Sequence, residues 1–149
     1  MKQLRAILYA RVSTDTGEQD PESQLHAMRP WAAGKDWKVI AEHVDRITCD
    51  PKRRRGEPPG MVKALRLLED HKADVLCIFA ADRLVADPIQ LIQFVARIQG
   101  LGGKVASYQD GKDLDTADEM GEFHLYAMGW FNRMRVRLIR AHTKRALAR

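Results

Sequence analysis

Short, nearly continuous apolar runs alternate with amphipathic stretches along this chain. Leu4 to Val12 is the first such run, and its few polar interruptions predict a strand buried on both faces. A turn-rich loop follows from Ser13 to Asp20. Asp20 has the character of an N-cap, with Pro21 at the first helical position and Glu22 in the first turn. Leu25, Met28 and Trp31 then keep helical spacing up to a stop at Gly34. Trp37 to Val44 predicts a second strand, and residues 45–58 a polar loop carrying Arg53, Arg54 and Arg55. Pro59 opens a helix with Met61, Leu65 and Leu68 on one face, and Val75 to Ala80 is a third, nearly all-apolar strand. Pro88 starts a helix with Ile89, Ile92 and Ala96 in register, ending near Gly100 to Gly103, and Lys104 to Tyr108 is a fourth strand.

From Asp118 the chain reads as one long helix, with no proline and two glycines, Gly121 and Gly129. Met120, Ala127, Met134 and Ala141 recur every seven residues, Phe131 and Leu138 lie on a neighbouring line, and Phe123 and Trp130 widen the stripe. Packing against its own sheet is one use for such a stripe. A helix of ~30 residues is ~45 Å long, however, more than a domain of this size covers, so pairing with a second subunit is expected. The order of elements, βαβαβαβα, implies a three-layer α/β domain with a mainly parallel sheet of four to five strands. The expected division is an α/β domain over residues 1–117 and a long oligomerisation helix over 118–149.

Charge sharpens this division. The chain of 149 residues carries a net charge of +5, yet residues 133–149 hold seven Lys or Arg and no acid, so the remainder sums to −2. A basic segment on a near-neutral body fits either a polyanion contact or a solvated helix end. Its candidate DNA-contacting residues are Arg133, Arg137, Arg140, Lys144, Arg145 and Arg149. Cys49 and Cys77 form no CxxC pair, and the five histidines make no ligand pattern around them, so no metal site is expected. Cys77 lies in an apolar run and reads as a small core residue. No apolar stretch is long enough to span a bilayer, and a cytoplasmic protein without a membrane partner is expected.

Function in an open parallel α/β sheet gathers at the carboxyl ends of the strands. Those ends carry Arg11 and Ser13, Asp45 and Arg46, Asp82 and Arg83, and Asp110. Guanidinium groups suit phosphate oxygens and the charge that builds on them during phosphoryl transfer. A serine beside several of them is a candidate nucleophile toward phosphorus. Each feature alone has a plainer explanation: a turn serine, an ordinary ion pair, a solvated arginine loop. Their conjunction at one end of one sheet favours chemistry.

The segment YARVSTDTGEQDPESQ, residues 9–24, resembles the N-terminal signature of the resolvase/invertase family of serine recombinases through Tyr9, Arg11, Ser13, Thr14 and Gln19. ADRL, residues 81–84, is similar to that family's Asp-Arg-Leu after the third strand. Residues 113–148 are similar to its turn into a long dimer helix. The likeness runs through nearly the whole chain in the right order, and the first motif is the most specific.

The resemblance implies that Ser13 attacks a DNA phosphodiester and forms a 5′-phosphoserine link. Arg11 and Arg83 would bind the scissile phosphate, Asp82 would assist proton transfer or orient an arginine, and Tyr9 and Gln19 would support the site. It also implies dimers that assemble into tetramers on double-stranded DNA, with no metal and no nucleotide cofactor. Two positions depart from the family pattern: Pro58 and Ala86 stand where the family usually has arginines. Arg53, Arg54 and Arg55 are candidate substitutes. A catalytically weakened relative that binds DNA or a partner recombinase is therefore a competing reading. A metal-dependent phosphotransferase using Asp45, Asp82 and Asp110 is a third.

Overall fold

The structure, a computed structural model, describes residues 2–13, 20–47, 56–84 and 88–114, together with 127, 134, 137–139 and 141. Its centre is β1, Arg5–Ser13, whose residues Ala6 to Ala10 are all buried. This strand pairs in parallel with β2, Lys38–Ile47, on one side and β3, Val75–Ile78, on the other. β4, Lys104–Ser107, continues the parallel sheet, and β5, Lys112–Leu114, closes it antiparallel, giving the order β2-β1-β3-β4-β5. The expected mainly parallel α/β sheet is thus present.

Alternation along β1 divides the core in two. Ile7 and Tyr9 face a cluster built by helices α2, Pro59–Glu69, and α4, Pro88–Gly100. Ala6, Leu8 and Ala10 face α1, Pro21–Gly34, through Leu25, Met28 and Ala32. A strand covered on both faces needs an unbroken apolar run, and each large side chain so buried contributes roughly 1.5–3 kcal/mol. Asp20 caps α1 as expected, accepting a hydrogen bond from the Glu22 amide at 3.0 Å. Pro30 lies inside α1 on its exposed side, and Met28 and Ala32, both buried, hold the helix to the sheet around it.

Three expectations are corrected. β2 runs on to Ile47, so Asp45 and Arg46 belong to the strand rather than to the following loop. Polar side chains hid this, because β2 is an edge strand whose alternate residues are exposed. The buried line of α4 is Leu91, Val95 and Ile98, not Ile89, Ile92 and Ala96; Ile89 is 57% exposed. β3 ends at Ile78 rather than Ala80, and a short helix, α3, Ala81–Leu84, follows it.

Pairing between β1 and β2 contains one irregularity. Ala6 pairs with Val39 and Ile7 with Ala41, so Ile40 is an extra residue, a bulge. Beyond it Tyr9 lies opposite His43 and Arg11 opposite Asp45. Without the bulge the register would slip by one, and Asp45 would turn to the opposite face. The bulge therefore brings a carboxylate onto the face that carries Tyr9 and Arg11.

Among the described residues of the C-terminal segment, Ala127, Met134, Arg137–Ile139 and Ala141 are helical, and Met134 and Leu138 are 38% and 55% exposed. The remainder of the expected long helix lies outside the described residues. No described helix is long and apolar enough to cross a membrane.

Candidate active site

The chain passes from β1 outward to β2, then back across to β3 on the other side of β1. The crevice between β1 and β3 is therefore the topological switch point, where ligands of open α/β sheets bind. A small, open cleft lies there, lined by Tyr9 and Arg11, by Gln24 of α1, by Ile78, Phe79 and Ala80, and by Leu84.

Strand alternation puts Tyr9, Arg11 and Ser13 on one face of β1, with Ser13 its last residue and half-buried. Among the described residues, Arg11 is fixed by two hydrogen bonds. Its Nε donates to the Tyr9 hydroxyl at 3.0 Å, and its Nη1 donates to the Leu84 carbonyl at 2.8 Å. The guanidinium carbon also lies 5.4 Å from the centre of the Tyr9 ring, within cation–π range. Gln24, itself buried, donates from Nε2 to the Arg11 carbonyl at 3.3 Å and ties the end of β1 to α1.

Behind Arg11 stands a buried carboxylate. The Tyr9 hydroxyl donates to Asp45 Oδ2 at 2.6 Å. Asp45 also accepts the Gly60 amide on Oδ1 at 2.7 Å and the Met61 amide on Oδ2 at 2.9 Å. These amides open α2, whose N-cap residue, Pro58, makes no side-chain cap. Asp45 thus caps α2 from a neighbouring strand, where the helix dipole favours a negative charge. Burial, opposed by the Arg11 charge and aided by the Asp45 hydrogen bond, pushes the Tyr9 phenol above its ordinary pKa. The phenol therefore keeps its proton at neutral pH and links carboxylate to guanidinium. Nearby, His43 is held below its ordinary pKa by burial first and the Lys63 charge second, against Asp45, and its buried Nε2 has no hydrogen-bond partner among the described residues.

Of the residues singled out from sequence, the structure brings together Tyr9, Arg11 and Ser13. Asp82 and Arg83 belong to α3, directly beyond β3, but their side chains lie outside the described residues. So do Thr14, Gln19, Arg53, Arg54, Arg55, Ala86, Arg133, Arg140, Lys144, Arg145 and Arg149; Arg137 is helical and exposed. Gln24 and the Asp45–Gly60 contact were not identified from sequence. The glycine directly after Pro59 was the available signal, since glycine at the start of a helix fits close approach of another group.

The metal-dependent reading does not suit these groups. Both oxygens of Asp45 accept from amide and phenol donors that a cation would have to displace. Among the described residues, no cluster of three or more His, Cys, Asp or Glu can hold a metal ion.

Comparison with known proteins identifies the family. The family model described as Resolvase, N terminal domain, matches residues 6–149. None of the curated proteins matches the chain. Among solved structures, a resolvase family site-specific recombinase from Streptococcus pneumoniae is similar with a TM-score of 0.66 at 18% identity, covering 98% of this chain and 99% of that one. The N-terminal catalytic domain of TP901-1 integrase is similar with a TM-score of 0.65 at 20% identity, covering 90% and 98%. The C-terminal catalytic domain of ISC1926 TnpA, an IS607-like serine recombinase, gives a TM-score of 0.60 at 26% identity over 70% of each chain.

Proposed function

Because the chain belongs to the resolvase N-terminal domain family, we propose that it is the catalytic domain of a site-specific recombinase that cuts and rejoins DNA through a 5′-phosphoserine link. The observation that carries this reading is the end of β1: Ser13 follows Arg11 on the same face, and Arg11 is immobilised at the switch point by Tyr9 and the Leu84 carbonyl.

In this reading Ser13 Oγ attacks phosphorus and loses its proton. The bond from phosphorus to the 3′ oxygen breaks, and that oxygen leaves as a 3′ hydroxyl after taking up a proton. Arg11 and Arg83 bind the phosphate oxygens and stabilise charge that grows in the transition state. Asp82 transfers the proton or orients an arginine, and Gln19 shapes the site. Rejoining is the reverse, with a 3′ hydroxyl attacking the phosphoserine and releasing Ser13. The scheme uses neither metal nor nucleotide, because the phosphoserine conserves the phosphodiester bond energy.

Residues 1–117 would carry this chemistry. Residues 118–149 would pair protomers into dimers that assemble to tetramers, with Arg133, Arg137, Arg140, Lys144, Arg145 and Arg149 on double-stranded DNA. Exposure of Met134 and Leu138 supports the pairing. The test is a DNA substrate nicked so that the cleaved state is trapped: protein attached to the 5′ end supports the reading, and attachment to the 3′ end contradicts it.

One observation favours a second reading, a weakened relative. The N-cap residue of α2 is Pro58, at the position where the family usually has an arginine. An arginine aimed at transition-state charge is worth ~10³-fold or more in rate. On this reading Pro58→Arg accelerates cleavage, whereas if Arg53, Arg54 or Arg55 already supplies the charge, replacing all three with Ala abolishes it.

A further inference from the structure

The carboxylate at the end of β4 contacts neither Arg11 nor the Tyr9–Asp45 pair. Asp110 lies in the turn after β4, and among the described residues its Oδ2 accepts two hydrogen bonds: from the backbone amide of Ala81 at 3.1 Å, and a short one from the hydroxyl of Ser107, which is fully buried. The turn is itself fixed. The Tyr108 amide donates to the Ile78 carbonyl at 3.0 Å and the Gln109 amide to the Phe79 carbonyl at 2.8 Å, so the chain beyond β4 stays paired to the chain beyond β3. Gly111, with φ +70, then turns the chain back into β5.

Ala81 is the first residue of α3 and Leu84 the last. A helix of four residues is too short to sustain its own ladder of hydrogen bonds. Its two ends are instead held from outside. Asp110 takes the amide at the amino end, and Arg11 Nη1 takes the Leu84 carbonyl at the carboxyl end at 2.8 Å. Both charges have the sign that the helix dipole favours. Ala81 and Leu84 are also buried in the cluster beneath α2 and α4, which keeps the turn on the sheet. Apolar contact alone is non-directional, however, and leaves the orientation of the turn to the two polar anchors.

We propose that Asp110, with Ser107 behind it, is a positioning residue that sets the orientation of the 81–84 turn and so aims Asp82 and Arg83. This rests on the proposed recombinase reading for its consequence in catalysis, but the structural part stands apart from it. Asp110 touches no reacting atom; it acts through the backbone of α3.

The experiment uses the full chain and the variants Asp110→Ala, Asp110→Asn and Ser107→Ala. Asp74→Ala serves as control, since it removes a part-buried Arg5–Asp74 pair before β3, at the opposite end of the strands. Amide hydrogen exchange in the free protein reads the turn directly. Asp110→Ala should speed exchange at residues 81–84 by roughly tenfold, with β1 unchanged, and Asp110→Asn, which keeps an acceptor oxygen, by less. Equal protection in wild type and Asp110→Ala overturns the proposal. Single-turnover cleavage at saturating DNA reads the consequence. Asp110→Ala should slow 5′ adduct formation by roughly tenfold without raising the DNA concentration for half-saturation, while Asp74→Ala should not slow it. In an Asp82→Ala, Arg83→Ala background, Asp110→Ala should add no further loss; a loss that multiplies shows that Asp110 does not act through these two residues and overturns the proposal. If wild type forms no adduct, the recombinase reading fails, and the exchange result still decides the positioning role.

Discussion

The backbone of Gly60 approaches the Asp45 carboxylate so closely that a β-carbon at residue 60 would lie 2.8 Å from Oδ1 and 2.9 Å from Oδ2. The carboxylate reaches the first amides of α2 only because that position has no side chain. It then receives the Tyr9 hydroxyl, which in turn receives Arg11. The arrangement links four groups from three elements, and the glycine is its most exacting member.

Gly60→Ala should therefore push Asp45 off α2 and loosen Tyr9 and Arg11 together. The expected cost is ~1–3 kcal/mol from the displaced, buried carboxylate and its lost amide bonds. Urea unfolding checks it. An alanine variant as stable as wild type contradicts the close approach, because Ala at an exposed helix position would ordinarily stabilise.

Tyr9→Phe removes the hydroxyl that joins Asp45 to Arg11 while keeping the ring in the core. The expected loss is ~1–2 kcal/mol. It also has a pH signature. The folded-state pKa of Tyr9 lies above its ordinary value, so the native protein holds that proton longer than the unfolded chain does. Its contribution is complete below the ordinary tyrosine pKa of ~10 and is lost as pH rises from there through the folded value. Stability measured from pH 9 upward should fall in wild type, and that part of the slope should vanish in Tyr9→Phe.

Met134 and Leu138, two exposed apolar residues of the C-terminal segment, are expected to lie at the seam between protomers. Replacing both with Glu should convert dimers to monomers in sedimentation, with the circular dichroism of the α/β domain unchanged. A wild type that stays monomeric at high concentration contradicts the pairing.

Much of the sheet was legible because β1 and β3 are central and parallel. Burial on both faces demands unbroken apolar runs such as Ala6 to Ala10 and Val75 to Ile78, and the sequence displays them. Asp20 and Pro21 were legible because a helix start is a local matter. The end of β2 was not. As an edge strand it alternates, and Asp45 and Arg46 look like loop residues until Arg11 is seen opposite Asp45. α4 was misread because Ile89, Ile92 and Ala96 share a helical spacing as good as that of Leu91, Val95 and Ile98, and only the neighbouring sheet decides between them. Within the candidate site, Arg11 and Ser13 were readable from their place at the carboxyl end of the first apolar run, and Tyr9 only through the resemblance to the resolvase/invertase signature; that Ser13 still belongs to β1 was not. The Asp45–Gly60 contact joins residues 15 apart and Asp110–Ala81 joins residues 29 apart; both depend on the register across strands, which no local pattern encodes.

The most direct measurement incubates the full chain with supercoiled DNA carrying its native site, quenches with denaturant, and maps any covalent protein–DNA link by mass spectrometry. The account predicts a phosphodiester from Ser13 Oγ to a DNA 5′ end in wild type, and none in Ser13→Ala, which still binds the same DNA. A 5′ adduct that persists in Ser13→Ala, or maps to another residue, contradicts it.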